Sequence, residues 1–140
     1  MKTLKLTLLV SFFSTVPAFS QSLQDCNAMN AMKDCQVVVD ANPRNSLAHY
    51  RLGRIFFQNK QWQLAADEFH EALRGDRYPE WTVVWSHVNL GKIFDVAGQR
   101  DRALNEYRMA HEYRRVKVLD DDAQAEASKY IDSPFKPDSK

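Results

Sequence analysis

Histidine is the residue type in this chain best suited to holding a metal ion or moving a proton, and it occurs four times. The four positions are His49, His70, His87 and His111. No two of them are four residues apart, which is the spacing of a helical metal site, so the sequence predicts no metal site. Ser86 precedes His87, but neighbouring helix residues point about 100° apart and form no catalytic pair. Because the sequence also lacks a nucleophile elbow, a phosphate loop and a dinucleotide motif, it predicts no cofactor and no enzymatic activity.

Cys26 and Cys35 are the two cysteines, and they could form a disulfide. A continuous helix between them would separate their Cα atoms by about 13.5 Å, whereas a disulfide needs a separation within about 7 Å. Two alternatives therefore stand. Either Cys26 precedes the helix and folds back to bond Cys35, or the two are unbonded small side chains buried on different faces. The spacing matches no zinc or haem motif.

Residues 1–20 have the layout of a cleaved secretory signal peptide. Lys2 and Lys5 precede an apolar run over residues 6–16, and small residues lie one and three places before a cut at Gln21. The run is too short to span about 30 Å of hydrocarbon, so no stable membrane insertion is expected after cleavage. The sequence thus predicts an exported protein, periplasmic or secreted.

The charge balance argues against a nucleic-acid partner. The chain has 19 basic and 18 acidic side chains, and residues 1–20 contain two of the lysines and no acid. A net charge near zero supplies no bulk attraction to phosphate. The hydrophobic share of 44% and the charged share of 26% are typical of an ordinary globular protein.

One sequence pattern occurs twice, thirty-eight residues apart. Residues 52–56, Leu-Gly-Arg-Ile-Phe, recur at residues 90–94 as Leu-Gly-Lys-Ile-Phe. Further along, Ala65, Phe69 and Ala72 recur as Ala103, Tyr107 and Ala110. A fixed offset with the same residue classes indicates a stacked repeat, in which each copy is one supersecondary unit.

Apolar residues at helical spacing predict that each unit is a pair of helices. Pro43 ends the first helix, Asn45 or Ser46 caps the second, and Gly75 and Gly98 follow the third and fourth. Pro79 is expected to be the first residue of the fourth helix. The predicted helices cover residues 22–40, 46–58, 61–74, 79–97, 100–115 and 121–131.

The small repeated residues are expected to let the paired helices approach closely. Gly53 and Gly91 lie on the first helix of each hairpin, and the alanines lie on the second. Two hairpins are few for a stable array, so the flanking helices should close its ends. The tail contains Pro134 and Pro137 among polar residues and is expected to be disordered. The predicted units are an N-terminal helix, a degenerate repeat half, at 21–43, hairpins at 44–78 and 79–117, a capping helix at 118–132 and the tail at 133–140.

At these positions the chain resembles the tetratricopeptide repeat family, over about residues 46–115. The residues that carry the resemblance are Leu52, Gly53, Phe56, Trp62, Ala65, Phe69 and Ala72 in one unit and Leu90, Gly91, Phe94, Gly98, Ala103, Tyr107 and Ala110 in the next. The family's period is about 34 residues, and the four extra residues lie within 76–81, where they are expected to lengthen the helix at Pro79. His49 and His87 stand where the family often has tryptophan. The resemblance implies an all-α, right-handed solenoid with a scaffold or adaptor role, of an exported bacterial type.

In this family the first helix of each hairpin lines a concave face where partner peptides bind. Carried over by position, the resemblance implies a site made of Tyr50, Arg51, Arg54, Phe57, Trp81, Trp85, Asn89 and Lys92. Arg54 and Lys92 are equivalent, and cations beside aromatic rings suit a peptide with acidic groups or a free carboxylate. Alternatively, Trp81 and Trp85 pack on the preceding hairpin, and the two cations form a solvated face.

The function predicted from the sequence is that of a non-catalytic protein–protein interaction scaffold in the cell envelope. Two other functions stand beside it. The array could be a self-associating structural module that forms homo-oligomers, or a small enzyme or carrier with a site between the hairpins.

Overall fold

The computed structural model describes Cys26, residues 32–113 and residues 121–138. Within these ranges the chain forms six helices and no strand, so the all-α fold is confirmed. The helices are α1 (Met32–Ala41), α2 (Ser46–Gln58), α3 (Trp62–Arg74), α4 (Trp81–Val96), α5 (Arg100–Glu112) and α6 (Asp121–Asp132). The predicted signal peptide, most of residues 21–31 and the junction at 114–120 lie outside the described residues.

The helices pack as a short solenoid. Helix α2 pairs with α3 and α4 pairs with α5, which gives the two expected hairpins. Helix α1 packs on α2 and α6 packs on α5, so each hairpin is flanked by a further helix. Helix α4 contacts α2, α3, α5 and α6, and eleven of its sixteen residues are buried. It is the central helix of the described structure.

The repeated small residues lie where the paired helices cross. Ala65, Ala72, Ala103 and Ala110 are all buried. Gly53 faces the ring of Phe69, and a Cβ added at Gly53 would lie 2.7 Å from that ring. Gly91 faces the Tyr107 ring in the same way. The need for a small residue at the two glycines is thus confirmed, but the group that approaches each glycine is an aromatic ring of the paired helix and not its backbone.

Asn45 is the residue that caps α2. Its side-chain oxygen accepts the N–H of Ala48 at 3.0 Å, which satisfies one of the free donors of the first turn. Ser46 has a different role, because its hydroxyl accepts the N–H of Arg77 at 2.7 Å and so ties the loop after α3 to the start of α2.

The expected helix start at Pro79 is wrong, because α4 begins at Trp81. The Pro79 carbonyl accepts both the N–H and the hydroxyl of Thr82, at 2.9 and 2.8 Å, and so lies just outside the first turn. Counted in the thirty-eight-residue register, α4 begins three residues earlier than α2 and ends at the equivalent position. The extra residues of the second unit therefore lengthen its first helix by almost one turn.

Cys26 and Cys35 are joined by a disulfide, with Cα atoms 4.7 Å apart. Cys26 lies in a turn before α1, so the predicted helix over residues 22–40 is wrong at Cys26, and the alternative in which Cys26 folds back to bond Cys35 is confirmed. Both cysteines are buried in a small cluster with Leu52 and Ile55 of α2. The disulfide thus fastens the segment before α1 against the first hairpin.

The expectation of a disordered tail is wrong for residues 133–138. This stretch follows α6 without helix or strand, and Phe135 is half-buried within it. The Phe135 N–H donates to Asp95 Oδ2 at 2.7 Å, and its ring lies 5.4 Å from the Tyr130 ring, centroid to centroid. Proline and polar composition had indicated disorder, whereas Phe135 makes contacts that exist only in the packed structure.

Candidate functional site

Helix α4 presents a narrow stripe of side chains on the face where a partner was predicted to bind. Apart from its eleven buried residues, the five others are half-buried as whole residues. They are Trp81, Trp85, Lys92, Val96 and Asp95, although the side chain of Asp95 is itself buried. Three of the four α4 residues assigned to the site from the sequence, the two tryptophans and the lysine, are thus on this stripe.

Asn89, the fourth of these residues, lies inside the molecule. It is 4% exposed, and its side-chain nitrogen donates to the carbonyl of Trp85 at 2.7 Å. An asparagine used in this way is part of the packing of α4 and does not reach a partner.

Tyr50 of α2 is also buried, at 5% exposure. Its ring meets Trp81 edge-on at 5.1 Å and is tilted against Phe69 at 5.8 Å. Trp81 therefore packs on the preceding hairpin, which was the alternative interpretation of this residue. Tyr50 and Trp81 together form the floor of the face between α2 and α4.

The two arginines of α2 differ in exposure. Arg54 is exposed, and its Nη1 donates to the Tyr50 hydroxyl at 3.2 Å. Arg51 is half-buried, and desolvation by burial lowers the pKa of its guanidinium. Arg54 is thus the better placed of the two to meet an anionic group on a partner.

Lys92 has the position of Arg54 in the second unit but different surroundings. Its ammonium pairs with the carboxylate of Glu126 on α6. The same nitrogen lies 5.3 Å from the centroid of the Tyr130 ring and 5.4 Å from that of Phe135. The charge of Lys92 is therefore compensated inside the chain, and the expected pair of equivalent groove cations is not formed.

Asp95 joins three parts of the chain at the end of α4. Its side chain is 1% exposed and accepts from Arg100 Nη1 at 3.0 and 3.1 Å. It also accepts the Tyr107 hydroxyl at 2.9 Å and the Phe135 N–H at 2.7 Å. Burial is the largest cause that raises the pKa of Tyr107, and the hydrogen bond to Asp95 and the charge of Asp95 act in the same direction. The phenol of Tyr107 therefore stays protonated and donates to Asp95.

Arg100 extends the same network to α6. Its Nη2 donates to the carbonyls of Tyr130 and Ile131, at 2.8 and 2.7 Å. Carbonyls in the last turn of a helix have no intrahelical partner, and a cation there is also favoured by the helix dipole. Arg100 thereby fixes the end of α6 from which the tail departs.

The first hairpin has apolar residues where the second has this network. In the thirty-eight-residue register, Phe57, Trp62 and Phe69 correspond to Asp95, Arg100 and Tyr107. Phe57 and Trp62 meet edge-on at 5.2 Å. Sequence reasoning missed the network, although an acid and a base replacing two aromatics at equivalent positions was a visible signal.

The repeated histidines each pair with a glutamate on the other helix of their hairpin. His49 Nδ1 lies 2.7 Å from Glu68 Oε2, and His87 Nδ1 lies 2.7 Å from Glu106 Oε2. His49 Nε2 also lies 3.0 Å from the Pro43 carbonyl. Two acceptors require both ring nitrogens to donate, so the geometry suits the imidazolium.

Burial alone would lower the pKa of His49, but the hydrogen bonds to Glu68 and Pro43 outweigh it. The nearby charges of Glu68 and Glu71 act in the same direction, and the net effect is a raised pKa. The same pairing in both hairpins gives a structural reason for histidine at the equivalent position of the two units. Among the described residues, no group of histidine, cysteine and acidic side chains is arranged to hold a metal ion.

Two surface clefts lie away from the α2–α4 face. One, of about 340 Å³, lies between α3 and the turn that joins α4 to α5. The other, of about 580 Å³, lies between the last turns of α3 and α5 and the start of α4. Both involve the second helices of the hairpins, so neither coincides with the predicted site.

Comparison with known proteins supports the repeat. No protein-family model matches the chain. Over 55 residues the chain is 40% identical to the human protein named tetratricopeptide repeat protein 6. The aligned stretch is 39% of this chain and 11% of that relative. The chain is similar to a tetratricopeptide repeat protein over part of its length. Because it spans about a tenth of the relative, the similarity supports a helical repeat and transfers no activity or partner.

None of the helices within the described ranges is both long enough and apolar enough to cross a membrane.

Proposed function

We propose that this chain is a non-catalytic protein–protein interaction module that binds an extended segment of a partner across α2 and α4. The observation that carries the proposal is the composition of the α4 stripe. A helix with eleven buried residues leaves two tryptophans partly exposed, Trp81 and Trp85, and α2 carries the exposed Arg54. Tryptophan and arginine are the residue types that contribute most to binding energy at protein interfaces. The similarity to a tetratricopeptide repeat protein supports the same function.

The partner segment is proposed to carry a carboxylate that meets Arg54. This guanidinium is exposed and held in place by its hydrogen bond to Tyr50, so little side-chain freedom is lost on binding. Lys92 adds less to this preference than the sequence implied, since Glu126 already neutralises it.

The module is proposed to act outside the cytoplasm of a bacterial cell, in the periplasm or after secretion. The signal-like pattern of residues 1–20 supports this location, and so does the Cys26–Cys35 disulfide, because disulfides persist in oxidising compartments. Mass spectrometry of the protein from its native cell tests the proposal. The expected mass is that of a chain starting at Gln21 with both cysteines oxidised, and a chain that keeps residues 1–20 would contradict it.

The binding face is tested by reversing one exposed charge. Arg54→Glu is compared with Arg108→Glu, which changes an exposed arginine on α5, outside the proposed face. Both variants and the unchanged protein are used for affinity capture from the exported fraction. We expect Arg108→Glu to retain the same partner as the unchanged protein and Arg54→Glu to lose it by at least tenfold. Equal recovery by two folded variants would rule out this face.

A further inference from the structure

The tail of the chain lies on the candidate binding face. Residues 133–138 follow α6 without regular secondary structure, and Phe135 is the only half-buried residue among them. Its ring is 6.1 Å from Phe57 of α2, and its N–H donates to Asp95 of α4. Phe135 is therefore in contact with both hairpins.

Tyr130 of α6 and Lys92 of α4 also lie against the ring of Phe135. Tyr130 meets Phe135 edge-on at 5.4 Å, and the Lys92 ammonium lies 5.4 Å from the Phe135 centroid. A backbone hydrogen bond and an aromatic anchor are also the means by which protein grooves hold extended peptides.

The hold on the tail depends on Phe135. Ser133, Pro134, Lys136, Pro137 and Asp138 are exposed. If Phe135 leaves, Asp95 keeps its bonds to Arg100 and Tyr107, so no buried carboxylate is left without a partner. The site can therefore release the tail without disturbing its own polar network.

We propose that residues 133–138 act as an internal ligand that occupies one end of the binding face and regulates it. The partner segment is an extended one that carries an aromatic residue flanked by prolines or polar residues, and it binds by displacing Phe135. This inference rests on the proposed function and deepens it. The tethered tail competes with the partner at an effective concentration of about millimolar. To displace the tail, a partner must therefore also contact the end of the face that contains Trp85 and Arg54.

The test uses a fluorescent peptide of residues 132–140 added to the full-length protein, with anisotropy as the readout. Three proteins are compared: the unchanged chain, Phe135→Ala, which weakens the internal ligand, and Lys136→Ala, which alters an exposed neighbour as a control. We expect Phe135→Ala to bind the peptide at least tenfold more tightly than the other two. A second peptide with the Phe135→Ala change should bind at least tenfold more weakly to the Phe135→Ala protein.

Two results would overturn the inference. One is the absence of saturable peptide binding to a Phe135→Ala protein that keeps its helical circular dichroism, and the other is equal binding to all three proteins. Sedimentation of the unchanged chain should show a monomer. A dimer that Phe135→Ala abolishes would likewise overturn the internal ligand, because the face would then hold the tail of a second copy. The titration needs no partner, so its failure leaves the Arg54→Glu capture experiment standing, and failure of the capture leaves the titration interpretable.

Discussion

The backbone N–H of Phe135 donates to the carboxylate of Asp95 at 2.7 Å, across forty residues of sequence. Asp95 also binds Arg100 and Tyr107, both on α5. One carboxylate therefore connects α4, α5 and the tail, and Arg100 extends the connection to α6. This polar centre belongs to the second hairpin and holds the end of α6, the helix that packs on α5.

Replacing Asp95 by asparagine should destabilise the protein. The Asp95→Asn change removes the charge that Arg100 pairs with and weakens the bonds from Tyr107 and Phe135. Loss of a charge-assisted pair at a buried carboxylate costs about 2–3 kcal/mol. Urea unfolding of Asp95→Asn and of Asp101→Asn, an exposed acid on α5, measures the difference. A loss below about 0.5 kcal/mol for Asp95→Asn would contradict the central role given to this residue.

The His49–Glu68 pair should make stability depend on pH. The pKa of His49 is raised in the folded protein above its ordinary value of about 6.5. A raised pKa means that the folded state binds the proton more tightly than the unfolded state. The stabilisation is therefore fully present below about pH 6.5 and is lost as the pH rises through the higher folded value.

The experiment compares the free energy of unfolding of the unchanged protein and of Glu68→Gln from pH 6 upwards. We expect the gap between them to be largest at pH 6, on the order of 1–2 kcal/mol for a charge-assisted hydrogen bond, and to shrink towards pH 9. Glu112→Gln, at an exposed position on α5, serves as the control and should show no such trend. A gap that stays constant over this range would mean that His49 does not titrate there.

Gly53→Ala should reveal how tightly α2 and α3 cross. Alanine gains about 1 kcal/mol of helix propensity over glycine, but the new Cβ would lie 2.7 Å from the Phe69 ring. Overpacking of a core costs about 1–3 kcal/mol, so we expect a net loss of roughly 1 kcal/mol in chemical unfolding. In the Phe69→Leu background, where the ring is absent, the same change should cost less or stabilise. Equal costs in the two backgrounds would show that the ring is not the obstacle.

The repeat was visible in the sequence because it is a property of residue classes at fixed spacing. Gly53, Gly91 and the buried alanines of α3 and α5 are small because the two helices of each hairpin leave no room for a larger side chain there. Every copy of the unit is under the same steric constraint. His49 and His87 also stand at equivalent positions of the two units and make the same pairing. Their glutamate partners lie nineteen residues away on another helix, and the sequence pattern did not name them.

What the sequence did not predict depends on tertiary pairing at the end of the array. Lys92 is at the position equivalent to Arg54 and was expected to have the same role, but Glu126 of α6 pairs with Lys92. Phe135 lies in a polar, proline-containing stretch whose composition indicates disorder. A single aromatic residue in such a stretch was the only sequence feature that indicated order. The rings of Phe57 and Tyr130, which contact Phe135, come together only when the helices have packed.

Reduction of the Cys26–Cys35 disulfide should weaken the N-terminal end of the array. The bond closes a loop of about ten residues, and in the chain-entropy model such a loop contributes about 2–3 kcal/mol. Both sulfurs are buried against Leu52 and Ile55, so an opened segment would also expose apolar surface of α2. We expect reductant to lower the melting temperature of the protein by roughly 10 °C. The double variant Cys26→Ser/Cys35→Ser should melt near the reduced value and be insensitive to reductant. If reduction left the melting temperature unchanged, the packing of Cys26 and Cys35 on Leu52 and Ile55 would be sufficient, and the disulfide would not stabilise this part of the fold.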